Sequence, residues 1–140
     1  MLVAVPSSPP SGCLMLKLLC FSGAILGFIG VAAGSFGAHG LKDLLEANGQ
    51  AANWETAVRY CLFHAVVLVA MAGLVGAEGG STLLTAAAAC FVVGVLIFSG
   101  FLGVLALSGL RWLGAIVPIG GVLLLVGWGL LAAAIWRSRI

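Results

Sequence analysis

The chain has 140 residues, of which 63% are hydrophobic; six are Lys or Arg and four are Asp or Glu. Its 7% charged residues fall far below the roughly 25% of a soluble domain, which excludes a water-soluble globular fold. A formal charge of +2 with no basic cluster leaves no electrostatic footprint for a nucleic-acid partner.

The few charges are spaced widely. Uncharged stretches of 24, 18, 32 and 25 residues separate Lys17 from Lys42, Arg59 from Glu78, Glu78 from Arg111 and Arg111 from Arg137. A helix needs about 20 apolar residues to cross a hydrocarbon core of about 30 Å. The spacing therefore predicts an all-α integral membrane protein, a four-transmembrane-helix bundle. The spans are expected at about 16–36, 54–76, 82–107 and 112–136, with a short amphipathic interfacial helix between the first two. Residues 15–140 form one membrane domain in this reading.

Residues 1–14, rich in Ser and Pro, read as a disordered leader, with Met15 as an alternative start. Val31-Ala32-Ala33 before Gly34 suits signal-peptidase cleavage. The apolar run ahead of it, however, reaches about 20 residues, against 7–15 for a signal core, so the segment is expected to remain as a membrane anchor. This first helix carries Gly23, Gly27, Gly30, Gly34 and Gly37 within one narrow sector. Small residues let helix backbones approach closely in lipid, so the stripe is a packing surface, expected to be used inside the molecule.

After the first span, Leu41, Leu44 and Leu45 alternate with Lys42, Asp43 and Glu46 in the pattern of a surface helix, ended by Asn48-Gly49. Asn53 is then expected to cap the second span, with Trp54 at the interface. Glu55 and Arg59, four apart, are in the favourable order for a helical ion pair. A short turn at residues 77–81 leads into the third span, and Pro118 is expected to kink the fourth. Arg137 and Arg139 anchor its end. Basic residues divide evenly between the two ends of the bundle; the paired C-terminal arginines and the free amine favour both termini on the cytoplasmic side.

Chemistry-bearing residues are few. His39 and His64 are the only histidines, and no HxxxH, ExxH or CxxC spacing accompanies them, so no metal site or cofactor is expected. Cys13, Cys20, Cys61 and Cys90 show no framework spacing and read as small buried hydrophobes. No GxSxG, HExxH or P-loop occurs, and Ser99 has no base near it in the sequence, so no enzyme is expected. His39, Arg59, Tyr60 and His64 remain as the candidate polar site, at the start of the second span. Intramembrane ionisable groups are functional candidates by default.

Several blocks resemble the YgdD-like family of small membrane proteins: Gly34-Ser35-Phe36-Gly37-Ala38-His39-Gly40-Leu41-Lys42, Trp54-Glu55-Thr56-Ala57-Val58-Arg59-Tyr60 with His64-Ala65, Phe98-Ser99-Gly100 followed by Leu105-Ala106-Leu107-Ser108-Gly109, and Pro118-Ile119-Gly120-Gly121 with Gly127-Trp128. Phe101-Leu102-Gly103 departs from the family's Ser-Leu-Tyr-like segment, so a tyrosine hydroxyl there is missing. The resemblance implies a four-helix inner-membrane protein of unknown function and places all four polar candidates in family motifs. The leading expectation is a non-enzymatic accessory or scaffold subunit, packing through glycine-lined faces against a larger membrane complex or a second copy. The alternative is a protein that binds or passes a lipid headgroup or small solute at the polar site. Membrane lipids are its expected partners in either case.

Overall fold

In the computed structural model, residues 11–78 and 80–138 are described. They form α1 (Ser11–Ala38), α2 (Lys42–Ala47), α3 (Ala51–Glu78), α4 (Thr82–Ser108), a 3-10 turn (Arg111–Ala115) and α5 (Val117–Arg137). No strand occurs among the described residues. Four helical stretches of 26 or 27 residues (Gly12–Ala38, Ala51–Gly76, Thr82–Ser108 and Arg111–Arg137) are long and apolar enough to cross a membrane.

Local chemistry sets the boundaries. Gly49, at φ +64°, turns the chain after α2, its amide donating to the Glu46 carbonyl. The Ser81 hydroxyl accepts the Leu84 amide at 3.2 Å and caps α4. Gly109, at φ +71°, ends α4 by donating to Leu105 O at 2.8 Å.

Three boundaries correct the sequence reading. α3 begins at Ala51, so Asn53 lies inside its first turn and does not cap it; the Asn53 amide instead donates to Gln50 Oε1. Pro118 produces no kink within a long helix. The last span divides into the 3-10 turn and α5, with Pro118 in the first turn of α5, where its missing N–H leaves no intrahelical bond unmade. The expected leader, residues 1–14, is described only from Ser11 onward. Residues 1–10 lie outside the described residues, whereas Ser11–Leu14 are already helical, with Met15 held across the bundle by the Thr85 hydroxyl, 3.5 Å from its sulfur.

The helices are arranged as an open row. α1 packs on α3, α3 on α4, and α4 on α5. No Cα of α5 comes within 8 Å of one in α1 or α3 among the described residues. The core lies mainly between α3 and α4, where Leu68, Met71, Phe91 and Val95 are the largest fully buried side chains.

The glycine stripe of α1 is spent on α3, in antiparallel register. Gly23 meets Val69, Gly27 meets Ala65, Gly30 meets Leu62, Gly34 meets Val58 and Gly37 meets Trp54. Two donors of α3, seven residues apart, bond two carbonyls of α1 that are also seven apart. Trp54 Nε1 donates to Ala33 O at 3.1 Å, and the Cys61 thiol to Leu26 O at 3.3 Å. At the same end, Asn48 Nδ2 donates to Ala106 O and Leu107 O, both at 3.1 Å, which ties α2 to the last carbonyls of α4.

Candidate functional site

An open row leaves crevices beside its central helices. One, of about 200 Å³, lies between α1, α3 and α4; it is almost wholly apolar and includes Gly30, Cys61 and Ser99. A second, of about 550 Å³, lies where α1, α2 and α3 meet; Lys42, Glu46, Trp54, Glu55 and Arg59 line it. The third, of about 590 Å³, lies between α3, α4 and α5. Arg59, Tyr60 and His64 of α3 face Phe98 of α4 and Pro118 to Trp128 of α5 across it.

His64 distinguishes the third crevice. It is the fourteenth of the 28 residues of α3, about 20 Å from the helix start at 1.5 Å per residue, and so lies near the middle of the span. Only 3% of its surface is exposed, and it is the one buried polar or charged residue among those described. Nδ1 lies 2.9 Å from the Tyr60 carbonyl oxygen, one turn earlier. A carbonyl can only accept, so Nδ1 carries the proton and Nε2 presents a lone pair. That nitrogen is buried and has no hydrogen-bond partner among the described residues.

Aromatic rings surround the imidazole. The centroids of Phe91, Phe63, Tyr60 and Trp128 lie 5.4, 5.5, 6.0 and 6.3 Å from that of His64. Tyr60 in turn packs on Phe98 at 4.5 Å. Glycines set this geometry. A β-carbon on Gly127 would fall 2.8 Å from the Phe91 ring, so glycine there lets Phe91 press against α5 and places Trp128 at the crevice.

The expected four-residue site is divided. Arg59, Tyr60 and His64 line one crevice, whereas His39 is exposed in the turn after α1, at the far end from mid-span. His64 is deeper than a place at the start of the second span, because it lies ten residues beyond Trp54, about 15 Å along the helix. The rings of Phe63, Phe91, Phe98 and Trp128 lie outside the polar site expected from the sequence. The available signal was the adjacency of Phe98 and Trp128 to the glycine motifs. A second buried polar atom without a partner among the described residues, Ser99 Oγ, lines the apolar crevice between α1, α3 and α4, which His64 does not line. The four cysteines are free thiols. Among the described residues no group of three or more His, Cys, Asp or Glu could hold a metal ion.

Fold and surface together define a multi-pass, all-helical integral membrane protein. Residues 33–121 match the family model described as a protein of unknown function, DUF423, and the chain belongs to that family. It is 37% identical over 124 residues to a UPF0382 membrane protein of Staphylococcus haemolyticus, covering 87% of this chain and 98% of the relative. UPF0382 membrane protein YwdK of Bacillus subtilis is 34% identical over 119 residues, with 85% and 96% covered. A UPF0382 membrane protein of Haemophilus influenzae is 37% identical over 117 residues, with 83% and 91% covered. No solved structure matches the chain.

Proposed function

We propose that this protein is a non-enzymatic binding protein of the bacterial inner membrane, which holds an amphiphilic small molecule in the crevice between α3, α4 and α5. The carrying observation is the buried His64, whose Nε2 has no partner although an unsatisfied buried acceptor costs about 1–3 kcal/mol. Such a cost at mid-span points to use. The crevice suits an occupant that enters from the lipid phase. Phe63, Val122 and Leu125 at its rim are exposed apolar side chains, and Arg59 supplies a charged end.

The α1 glycine stripe is filled by α3, as expected of a packing surface used inside the molecule, so an accessory role would rest on other faces, where Gly73, Gly100 and Gly129 stand open. The non-enzymatic reading is supported by the separation of Ser99 from His64, which leaves the hydroxyl without a base beside it. We extend the YgdD-like resemblance in the same spirit, and place both termini on the cytoplasmic side from the C-terminal arginines.

Native mass spectrometry of protein released gently from its own membrane tests the reading. A β-carbon on Gly121 would meet only Phe98, at an ordinary 3.7 Å, so Gly121→Leu fills the crevice without forcing the backbone. Stoichiometric small-molecule mass in the native protein, lost in Gly121→Leu, is the expected result. No adduct, or one that Gly121→Leu retains, removes the proposal.

A further inference from the structure

We infer that the molecule held in this crevice is a flat-ringed, membrane-soluble compound that donates a hydroxyl hydrogen bond to His64 Nε2, as a phenol or hydroquinone does. The inference rests on the binding role proposed above and specifies the ligand's chemistry. The tautomer selects the polar group. With Nδ1 committed to the Tyr60 carbonyl at 2.9 Å, Nε2 accepts, so its partner must be a donor. Among the described residues no acidic side chain lines the crevice to balance an imidazolium. A carboxylate or phosphodiester has no proton to give at neutral pH, and an ether or a ketone has none at all; a hydroxyl does.

The walls select the shape. Tyr60, Phe63, Phe98 and Trp128 offer ring faces and edges, against which a planar ring packs better than a bare acyl chain. Among the described residues no side chain satisfies Nε2, although Tyr60 and Trp128 both have their rings within 6.3 Å of the imidazole centroid. The nitrogen is shielded from the surface. An occupant must therefore displace a neighbouring ring to reach it, and Phe63 and Trp128, 56% and 39% exposed, are two of the rings around the imidazole that also meet the surface.

The test compares two probes of the same ring, trimethylhydroquinone and its dimethyl ether, on the full chain in lipid nanodiscs. Calorimetry gives the two affinities. The 15N spectrum of histidine-labelled protein, in which only His39 and His64 contribute, reports Nε2 directly. The hydroquinone is expected to bind about tenfold tighter than the ether, the value of one hydrogen bond of about 1.4 kcal/mol, and to shift the His64 Nε2 signal. The preference should vanish in His64→Phe and return in part in His64→Gln, whose amide oxygen accepts. Equal affinity for both probes with an unmoved Nε2 signal overturns this inference and leaves the crevice as a binding site. Binding of neither probe, with a native adduct still present, rejects the hydroxylic ring alone. Binding of neither with no native adduct rejects both proposals. The comparison of probes on the unaltered protein stands even if the histidine variants do not fold.

Discussion

A β-carbon on Gly120 would lie 2.5 Å from the backbone nitrogen of Phe98, so α5 crosses α4 at a point where only glycine fits. The other close glycines differ in what they touch. At Gly30 the nearest atom is the Leu62 Cδ2, at 2.6 Å, the end of a side chain that can turn aside. At Gly27 the nearest is Ala65 Cβ at 3.9 Å, ordinary contact.

That difference orders three alanine variants. Gly120→Ala must separate two backbones and is expected to lose about 3 kcal/mol or more, the upper end of overpacking costs. Gly30→Ala should cost about 1 kcal/mol, and Gly27→Ala nothing measurable or a small gain from helix propensity. Unfolding by SDS titration from mixed micelles measures all three. A Gly27→Ala variant as unstable as Gly120→Ala would contradict the α1–α3 and α4–α5 geometry together.

Trp54 and Cys61 make a second case. Both donate to α1 carbonyls, and interhelical hydrogen bonds in membranes average about 0.6 kcal/mol with a maximum near 1.7. Trp54→Phe should lose about 1–2 kcal/mol, since the indole also fills the space that Gly37 leaves open. Cys61→Ala should lose about 1 kcal/mol. The two bonds are separated by two helical turns, so the double variant is expected to be near additive in the same titration. A strong coupling between them would mean that α1 and α3 separate as one unit, and that the seam is not a sum of local contacts.

The spans were legible because charge is costly in lipid, and the spaces between charges mark them directly. The α1 stripe was legible because glycine at a helical period has few other uses in a membrane. Two things were not. The order of helices in the row depends on which faces fit, and no residue at a helix end encodes it. The depth of His64 was obscured by its neighbours. Asn53 and Trp54 look like a cap and an interface anchor and draw the polar residues after them toward the interface, yet His64 lies ten residues beyond Trp54, about 15 Å along the helix and near mid-span. His39, two residues beyond Gly37, stays at the end of α1, so proximity in family motifs did not translate into proximity in space.

Asn48 gives a local prediction. Its side-chain amide bonds Ala106 O and Leu107 O, and buried Leu45 anchors the short α2 beside it. Asn48→Ala removes both bonds and should cost about 1–2 kcal/mol locally, without unfolding the spans. Hydrogen exchange at Gly49 and Gln50, whose amides bond Glu46 O and Leu45 O, should accelerate roughly five- to thirtyfold. Unchanged exchange there would show that Leu45 alone holds α2.

His64 yields the sharpest stability test, because its two nitrogens predict opposite things. Replacing it with Ala deletes a buried ring and should cost about 3–5 kcal/mol, as ring-to-alanine changes in cores do. Replacing it with Phe keeps the ring in the aromatic cluster and removes the orphaned Nε2. The Nδ1 bond to Tyr60 O is lost, but that carbonyl lies inside α3 and keeps its helical position. Loss of a bond worth about 1 kcal/mol is then offset by removal of an unsatisfied acceptor that costs about 1–3 kcal/mol. His64→Phe is therefore expected to be as stable as the native chain, or more so by up to about 2 kcal/mol, in ligand-free micelles. A site kept for binding shows this pattern, with stability given up for function. A loss of more than about 2 kcal/mol in His64→Phe would mean that Nε2 has a partner in the folded protein, and that the histidine is a structural strut.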